Sequence, residues 1–505
     1  MDPRTIILSI LVLFVVVIHC QSNSKQLSDS VVNSTDINLN ENRTISDTPV
    51  VLGTNLQSLC TICSCGSKLV NCSERNLTNT FIAEQWPKTP IDEITFMKNT
   101  LIHITPFPSI VVQRLILRQN QITKIDNSAF KNIINLTELD LSHNQLTTEI
   151  LIPHVFEGKF SPEAYEPLNL RYLNLANNLL HALNQDIFEH LGSLKVLILA
   201  NNPLKVLIEP TSLAINNLPY LEELDLSYCD LEELPEYIFY KPRYLKKLQL
   251  NGNRFVEIPK ALSMATALET LDLDETPIQT LNEQNAFPIM KNLKELNMCC
   301  LPNLIEIGNG SFGNLSGLEI LRIQNCPLLK NIDKDALTKF EKEMIVWPPL
   351  KILDLSDNAL RYLPSQLVES WDKLEELDLM NNEWSCDCDN QYLIDVLLPK
   401  HGKRLMDDEV NELKCSKSSE YYPERNLTSL ANIKLHCLSV RESSNSNSKV
   451  GVLHIGVVVG LLFVILICLA LIILYQRGYF IVCCGRGAAT YSRAFYKRTP
   501  ADYDI

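Results

Sequence analysis

The chain has 505 residues, of which 46% are hydrophobic, with 45 Lys and Arg against 59 Asp and Glu and a net charge of −14. That length exceeds what one compact core serves well, unless the chain is divided or built from units that pack only on their neighbours. The acidic balance argues against nucleic acid as a partner, because phosphate binding needs a basic face.

Residues 1–20 open with Arg4 and continue into an apolar run from Ile6 to Ile18. At about 1.5 Å per residue the run spans only about 20 Å, short of a membrane core of about 30 Å. We read it as a secretory signal peptide, with an uncleaved anchor as the competing reading. Residues 21–59 are rich in Ser, Asn, Asp and Thr and show no period, the composition of a disordered polar leader. Asn33 and Asn42 there are N-x-S/T glycosylation acceptors. Cys60, Cys63, Cys65 and Cys72 follow as C-x2-C-x-C-x6-C. Zinc competes for such spacing, but behind a secretory signal thiols oxidise, so disulfides are expected.

The stretch Leu221 to Leu234 reads L-E-E-L-D-L-S-Y-C-D-L-E-E-L. Steps of three and two are mixed, which fits neither a helix nor a plain strand. A chain does this when it turns a corner into a short strand, sends alternate side chains inward and bends away again. The ninth position must satisfy backbone groups in the bend, which Asn does with its amide and Cys or Thr in part. The pattern begins at Ile91, Val112, Leu136, Leu170, Leu194, Leu221, Leu245, Leu268, Leu293, Leu318, Leu350 and Leu374. Its ninth position is Asn99, Asn120, Asn144, Asn178, Asn202, Cys229, Asn253, Thr276, Leu301, Cys326, Asn358 and Asn382, with Leu301 the one poor fit. These twelve copies, over residues 91–384, carry the signature of a leucine-rich repeat. They imply an α/β solenoid: a horseshoe with a parallel β-sheet on its concave face and loops, turns or short helices on the other. Twelve strands at about 4.8 Å give an arc of roughly 60 Å, enough for a protein ligand.

Two intervals are long, Leu136 to Leu170 and Leu318 to Leu350, so extra chain must bulge out near 150–167 and 334–349. Such insertions line a binding face or are tolerated decoration. Position 5 of the repeat should face out from the concave sheet, and it is Asp140, Asp225, Asp272, Asp354 and Asp378. Glu138, Glu223, Glu295 and Glu376 stand two positions earlier. A basic patch on a protein partner would suit this face, and plain surface solubility would equally account for it. Cys300 and Cys326 lie in consecutive repeats, close enough for a bridge if their side chains face each other; otherwise Cys326, like Cys229, is a buried thiol. Further sequons are Asn71, Asn76, Asn135, Asn309, Asn314 and Asn426, with Asn71 hindered by the adjoining Cys72. Glycans at Asn309 and Asn314 would keep their side of the arc clear of partners.

Cys386, Cys388, Cys415 and Cys437 close the array, with Asn390 to Leu398 suited to an amphipathic helix. After a polar stalk at 438–449, Val450 to Leu474 is uncharged. At about 37 Å it is long enough to span a membrane as a tilted helix. Arg477, Arg486, Arg493, Lys497 and Arg498 beyond it give the positive-inside signal, so the repeats are expected outside the cell and residues 475–505 in the cytosol. The tail carries +3 and the rest of the chain −17. Cys483 and Cys484 at the membrane edge are palmitoylation candidates or free thiols. Tyr503-Asp504-Ile505 is an ending that a PDZ domain or other adaptor could take. No catalytic motif or phosphate-binding loop is present, and the cysteine groups are read as disulfides, so no enzyme activity and no cofactor are expected.

The two cysteine groups around such repeats resemble the caps of extracellular leucine-rich repeat proteins, like those of Slit and Toll ectodomains, without a Toll-type signalling domain. The entry N-N-E-W-S-C-D-C, from Asn381 to Cys388, is the more specific of the two. The resemblance implies the pairs Cys60–Cys65, Cys63–Cys72, Cys386–Cys415 and Cys388–Cys437. It implies a single-pass plasma-membrane receptor or adhesion protein that binds an extracellular protein through the concave face. An auxiliary subunit, co-receptor or decoy for another membrane receptor or channel is the other expectation.

Overall fold

In the computed structural model, residues 58–437 are described, Glu343 excepted. The expected signal, leader as far as residue 57, stalk, membrane span and tail, with Asn33, Asn42, Cys483, Cys484 and the C-terminal residues, lie outside the described residues. The leader's expected last residue, Leu59, is instead buried in the 3-10 turn Leu59–Thr61 and belongs to the cap. Among the described residues no helix is long and apolar enough to cross a membrane.

Each repeat supplies one strand to a single sheet, and the strands follow one another in chain order. An antiparallel pair, Ser64–Cys65 with Leu69–Asn71, starts it. Parallel strands continue from Ile91–Thr95 through Glu223–Asp225 and Lys247–Gln249 to Glu376–Asp378. Most strands are three residues of the form x-Leu-x, with the leucine buried and its neighbours partly exposed. Leu139, Leu173, Leu197, Leu224, Leu248 and Leu271 stand in register across neighbouring strands. Their side chains meet the other leucines of the motif behind the sheet in one continuous core. Burying one such side chain contributes about 1.5–3 kcal/mol, so a repeat gains its stability only by stacking. On the outer side aromatic rings form a second file: Trp86, Phe107, Phe130 and Phe156 have successive centroids 5.9, 6.1 and 6.2 Å apart.

The ninth-position residues do what the bend requires. Asn120 donates through Nδ2 to Leu117 O in its own repeat and Phe96 O in the one before, both at 3.0 Å, while its Oδ1 accepts from Leu101 N. Asn144, Asn178, Asn202, Asn253, Asn358 and Asn382 repeat this arrangement. Cys229 keeps the cross-repeat link with its thiol, to Leu199 O at 3.4 Å, and also reaches Ser227 O in its own repeat at 3.4 Å. The ladder breaks where side chains are too short or apolar. Thr276 reaches only Leu273 O of its own repeat, and Leu301 has no polar atom to offer. In this same stretch a second parallel sheet forms away from the main one, Thr280–Leu281, Glu306–Ile307 and Asn331–Ile332. Backbone pairing there adds cross-repeat hydrogen bonds to those of the main sheet, as a shorter pair, His103–Ile104 with Lys124–Ile125, does near the start of the array.

The residue before the ninth position takes a left-handed backbone in all twelve repeats, with φ between 53° and 68°, as at Asn177, Tyr228, Gly252 and Cys300. This conformation aims the eighth side chain outward and the ninth inward. Cys300 is half-exposed with Sγ 3.3 Å from Asn325 Nδ2, whereas Cys326 is buried and donates to Met298 O. A Cys300–Cys326 bridge therefore does not form, and Cys229, Cys299, Cys300 and Cys326 are all free.

Both ends are closed by sulfur. Cys60 is joined to Cys65 and Cys63 to Cys72, over the first strands, and Cys386 is joined to Cys415 and Cys388 to Cys437. A buried tryptophan sits in each cap, Trp86 donating to Phe81 O and Trp384 to Leu379 O. The helix expected at Asn390 to Leu398 forms and runs further, from the 3-10 turn Cys388–Asn390 through a π-helical segment Leu393–Gly402 to Lys403–Met406. Pro399 lies inside it, and its missing N–H removes one rung of ordinary α-helical pairing. Arg404 at its end donates to Leu374 O and Trp371 O and ties the cap to the last repeat.

Candidate binding surfaces

The side chains flanking the buried leucine on each strand tile the concave face. Their charges meet across neighbouring strands rather than along the chain. Arg114 lies between Glu93 and Glu138, at 2.7 and 2.5 Å, and the two carboxylates push its pKa up. Lys247 meets Glu223 at 2.7 Å and Arg322 meets Glu295 at 2.5 Å. One position earlier a second column alternates in sign, Lys195 with Glu222, Glu269 with Lys294, and Glu319 with Lys351. Hydrogen bonds from Lys294 and Lys351 hold Glu269 and Glu319 below the usual carboxylate range. Such partly exposed pairs contribute little stability, about 0–1 kcal/mol each. Their larger effect is to neutralise much of the face.

The fifth-position aspartates turn back on their own backbone. Asp140 accepts from Ser142 N, Asp225 from Ser227 N, Asp272 from Asp274 N, Asp354 from Ser356 N and Asp378 from Met380 N, all at 2.9 or 3.0 Å. Each fixes the strand exit as an Asx turn. Among the described residues Glu376 alone of the third-position acids has no cation beside it. Burial, aided by the carboxylates of Asp274 and Asp225, pushes Asp272 up to about 6, and burial also raises Asp274 and Asp378. The structure thus gathers Asp225, Asp272 and Asp274 in one place, and leaves Glu138 and Glu223 occupied by cations.

Nothing here is arranged for chemistry. Burial pushes the Cys229, Cys299 and Cys326 thiols up to about 12, so they stay protonated. Among the described residues no group of His, Cys, Asp and Glu could hold a metal ion. Sequon accessibility differs: Asn76, Asn135 and Asn309 are exposed, whereas Asn314 and Asn426 are half-buried with Nδ2 donating to Phe287 O and Asn411 O.

The two long intervals become β-hairpins, Lys159–Phe160 with Tyr165–Glu166 and Lys339–Glu341 with Met344–Val346. Each ends six residues ahead of a strand of the main sheet, so both leave the same edge, where strands begin. Phe160 is 80% and Phe340 72% exposed. Below the second hairpin a cavity of about 550 Å³ is lined by Trp347, Pro348, Val368 and Lys373. Both insertions are legible in the repeat spacing, but their shared edge appears only once the repeats are stacked in register.

These features define a cysteine-capped repeat solenoid that presents surfaces rather than a catalytic cleft. The chain belongs to the leucine-rich repeat proteins. The model "Leucine rich repeat" matches residues 111–158, 168–231 and 219–278, and the model "BspA type Leucine rich repeat region (6 copies)" matches 257–380. The second range contains the broken Asn ladder and the second sheet. The chain is 26% identical to Tsukushi of Gallus gallus over 268 residues, 53% of this chain and 60% of that protein. It is 30% identical to the transforming growth factor beta activator LRRC32 of Pongo abelii over 272 residues, 51% of this chain and 37% of that protein. It therefore spans less than two thirds of the length of each of these two relatives. Among solved structures, a chain of the octameric complex of Latrophilin 3, Unc5D and FLRT2 is 19% identical. That match covers 72% of this chain and 96% of that one, with a TM-score of 0.43.

Proposed function

We propose that this protein is a single-pass plasma-membrane receptor or adhesion protein whose repeat array holds an extracellular protein ligand across the concave ribbon. The observation that carries the reading is the unbroken parallel sheet closed at each end by two disulfides, a build suited to an oxidising exterior. A ribbon of short strands offers a broad, rigid surface at little entropic cost on binding. A relative whose name makes it an activator of a growth factor supports a protein as ligand. The membrane placement rests on the apolar run from Val450 to Leu474 and the basic residues after it.

The test is a binding screen of the chain, displayed on cells, against a panel of extracellular proteins, with Glu223→Lys and Glu376→Lys as concave-face variants, since neither side chain holds a strand exit. Binding that these variants abolish, and that survives replacement of residues 450–474 by an unrelated span, is expected. Loss of function through the span replacement alone would point instead to an auxiliary subunit acting through its membrane helix.

A further inference from the structure

Two repeats near the middle of the array carry tyrosines on the edge from which the hairpins leave. Tyr220 and Tyr244 each stand three residues ahead of a strand, Glu223–Asp225 and Lys247–Gln249. Those strands are adjacent and in register, so the two rings stack, with centroids 6.2 Å apart and planes 17° from parallel. Both stay more than half exposed, as does Tyr240. Arg243 lies over the Tyr240 ring, 5.9 Å from its centroid. Large rings left in water at this density are unusual on a surface that binds nothing.

The charge here is also out of balance. In a chain with 59 acids against 45 bases, most lysines and arginines of the ribbon face a carboxylate. Arg243 and Lys241 do not: among the described residues neither has a carboxylate within salt-bridge distance, and Lys241 Nζ donates to the neutral Asn217 Oδ1. The acids on nearby strands, Glu222 and Glu223, are already held by Lys195 and Lys247. An aromatic patch with two unanswered cations suits a partner that supplies carboxylates on an apolar backbone. Tyrosine and arginine are also the residues that dominate protein interfaces.

We propose that Tyr220, Tyr240, Arg243 and Tyr244 form a docking site for an acidic, extended segment of a protein partner, on the strand-entry edge rather than the concave face. The proposal rests on the reading of the chain as a protein-binding receptor and adds a second point of grip, beside the concave ribbon, and the chemistry it takes. Seven strand steps separate the two hairpins along this edge, about 34 Å at about 4.8 Å per step, which matches the width of a standard protein interface. The exposed rings of Phe160 and Phe340 mark its two ends.

The test uses the full chain in lipid nanodiscs and a fluorescent ten-residue peptide of alternating glutamate and phenylalanine, with a lysine–phenylalanine peptide as control. Fluorescence anisotropy should show the acidic peptide binding at least tenfold more tightly than the basic one. Arg243→Glu, and Tyr220→Ser combined with Tyr244→Ser, should each weaken it tenfold or more at unchanged melting temperature, because all three side chains face water. If Arg243→Glu fails to fold, Arg243→Gln is read in its place, with a loss of threefold or more expected. Equal affinity for the two peptides, or a variant within twofold of wild type, would overturn the proposal. So would self-association of the chain that Arg243→Glu dissolves and the peptide does not contest, which would assign the patch to a second copy. Failure of the receptor reading looks different: no protein in the extracellular panel would bind, whatever the peptide does.

Discussion

Removing the amide of Asn202 tests how the turns are held to one another. Its Nδ2 donates to Leu199 O at 2.8 Å and to Leu175 O at 2.9 Å, and its Oδ1 accepts from Leu180 N at 3.1 Å. The residue is buried, so water cannot replace these bonds. In Asn202→Ala the two carbonyls keep partial alternatives: Leu175 O retains Asn178 Nδ2, and Leu199 O retains the Cys229 thiol. Leu180 N loses its side-chain acceptor. One orphaned buried donor at about 1–3 kcal/mol and two weakened acceptors put the total loss at about 3–4 kcal/mol. Thr276→Ala should cost less, about 1 kcal/mol, because Thr276 makes a single bond inside its own repeat and the second sheet stitches that region. Urea denaturation of the two variants compares them directly. Equal losses, or less than about 1 kcal/mol for Asn202→Ala, would refute the view that the ladder couples adjacent repeats.

Asp272 should make stability depend on pH. Its folded pKa is raised from 3.8 to about 6, so the ionised form is disfavoured in the fold. The associated stability is present below pH 3.8 and is lost as pH rises through about 6. Asp272→Asn keeps the bond to Asp274 N. It should therefore stabilise the protein by about 1–2 kcal/mol at pH 7.5, after allowance for partial solvent screening, and by nothing at pH 3.5, as read from urea midpoints at both pH values. At Gly252, φ is 68° and an added Cβ would lie 2.2 Å from the Tyr228 ring, which reaches over it to Glu275. Gly252→Ala should cost about 2 kcal/mol by thermal melting, and Tyr228→Ala should recover most of that loss in the double variant. Intact-glycopeptide mass spectrometry should find Asn76, Asn135 and Asn309 more fully occupied than Asn314 and Asn426, whose amide nitrogens are engaged by backbone carbonyls.

The leucine spacing made the sheet legible because inward positions repeat within a single turn of chain, where they can be read one line at a time. The ninth-position asparagines were legible for the same reason, down to Leu301 as the weak rung. The charge pairing was not, because Glu223 and Lys247 are 24 residues apart and meet only when one repeat is stacked on the next. The fifth-position aspartates looked free for a partner, yet the strand exit uses each of them to hold a backbone N–H. A Cys300–Cys326 bridge looked reachable from spacing alone. The left-handed residue that sets the two thiols on opposite sides is a backbone feature, hinted at only by the Asn, Asp and Gly among the eighth positions. The edge tyrosines fall outside the motif, and nothing inside one repeat shows that Tyr220 and Tyr244 stack.

The claim on which the rest depends is a solenoid sealed by oxidised caps and displayed outside the cell. Disulfide mapping by mass spectrometry, on chain recovered from the cell surface and alkylated without reduction, tests it most directly. The expected result is four bridges, Cys60–Cys65, Cys63–Cys72, Cys386–Cys415 and Cys388–Cys437, with Cys229, Cys299, Cys300 and Cys326 as free thiols. Cap cysteines recovered as thiols, or joined across the array to Cys300 or Cys326, would contradict it.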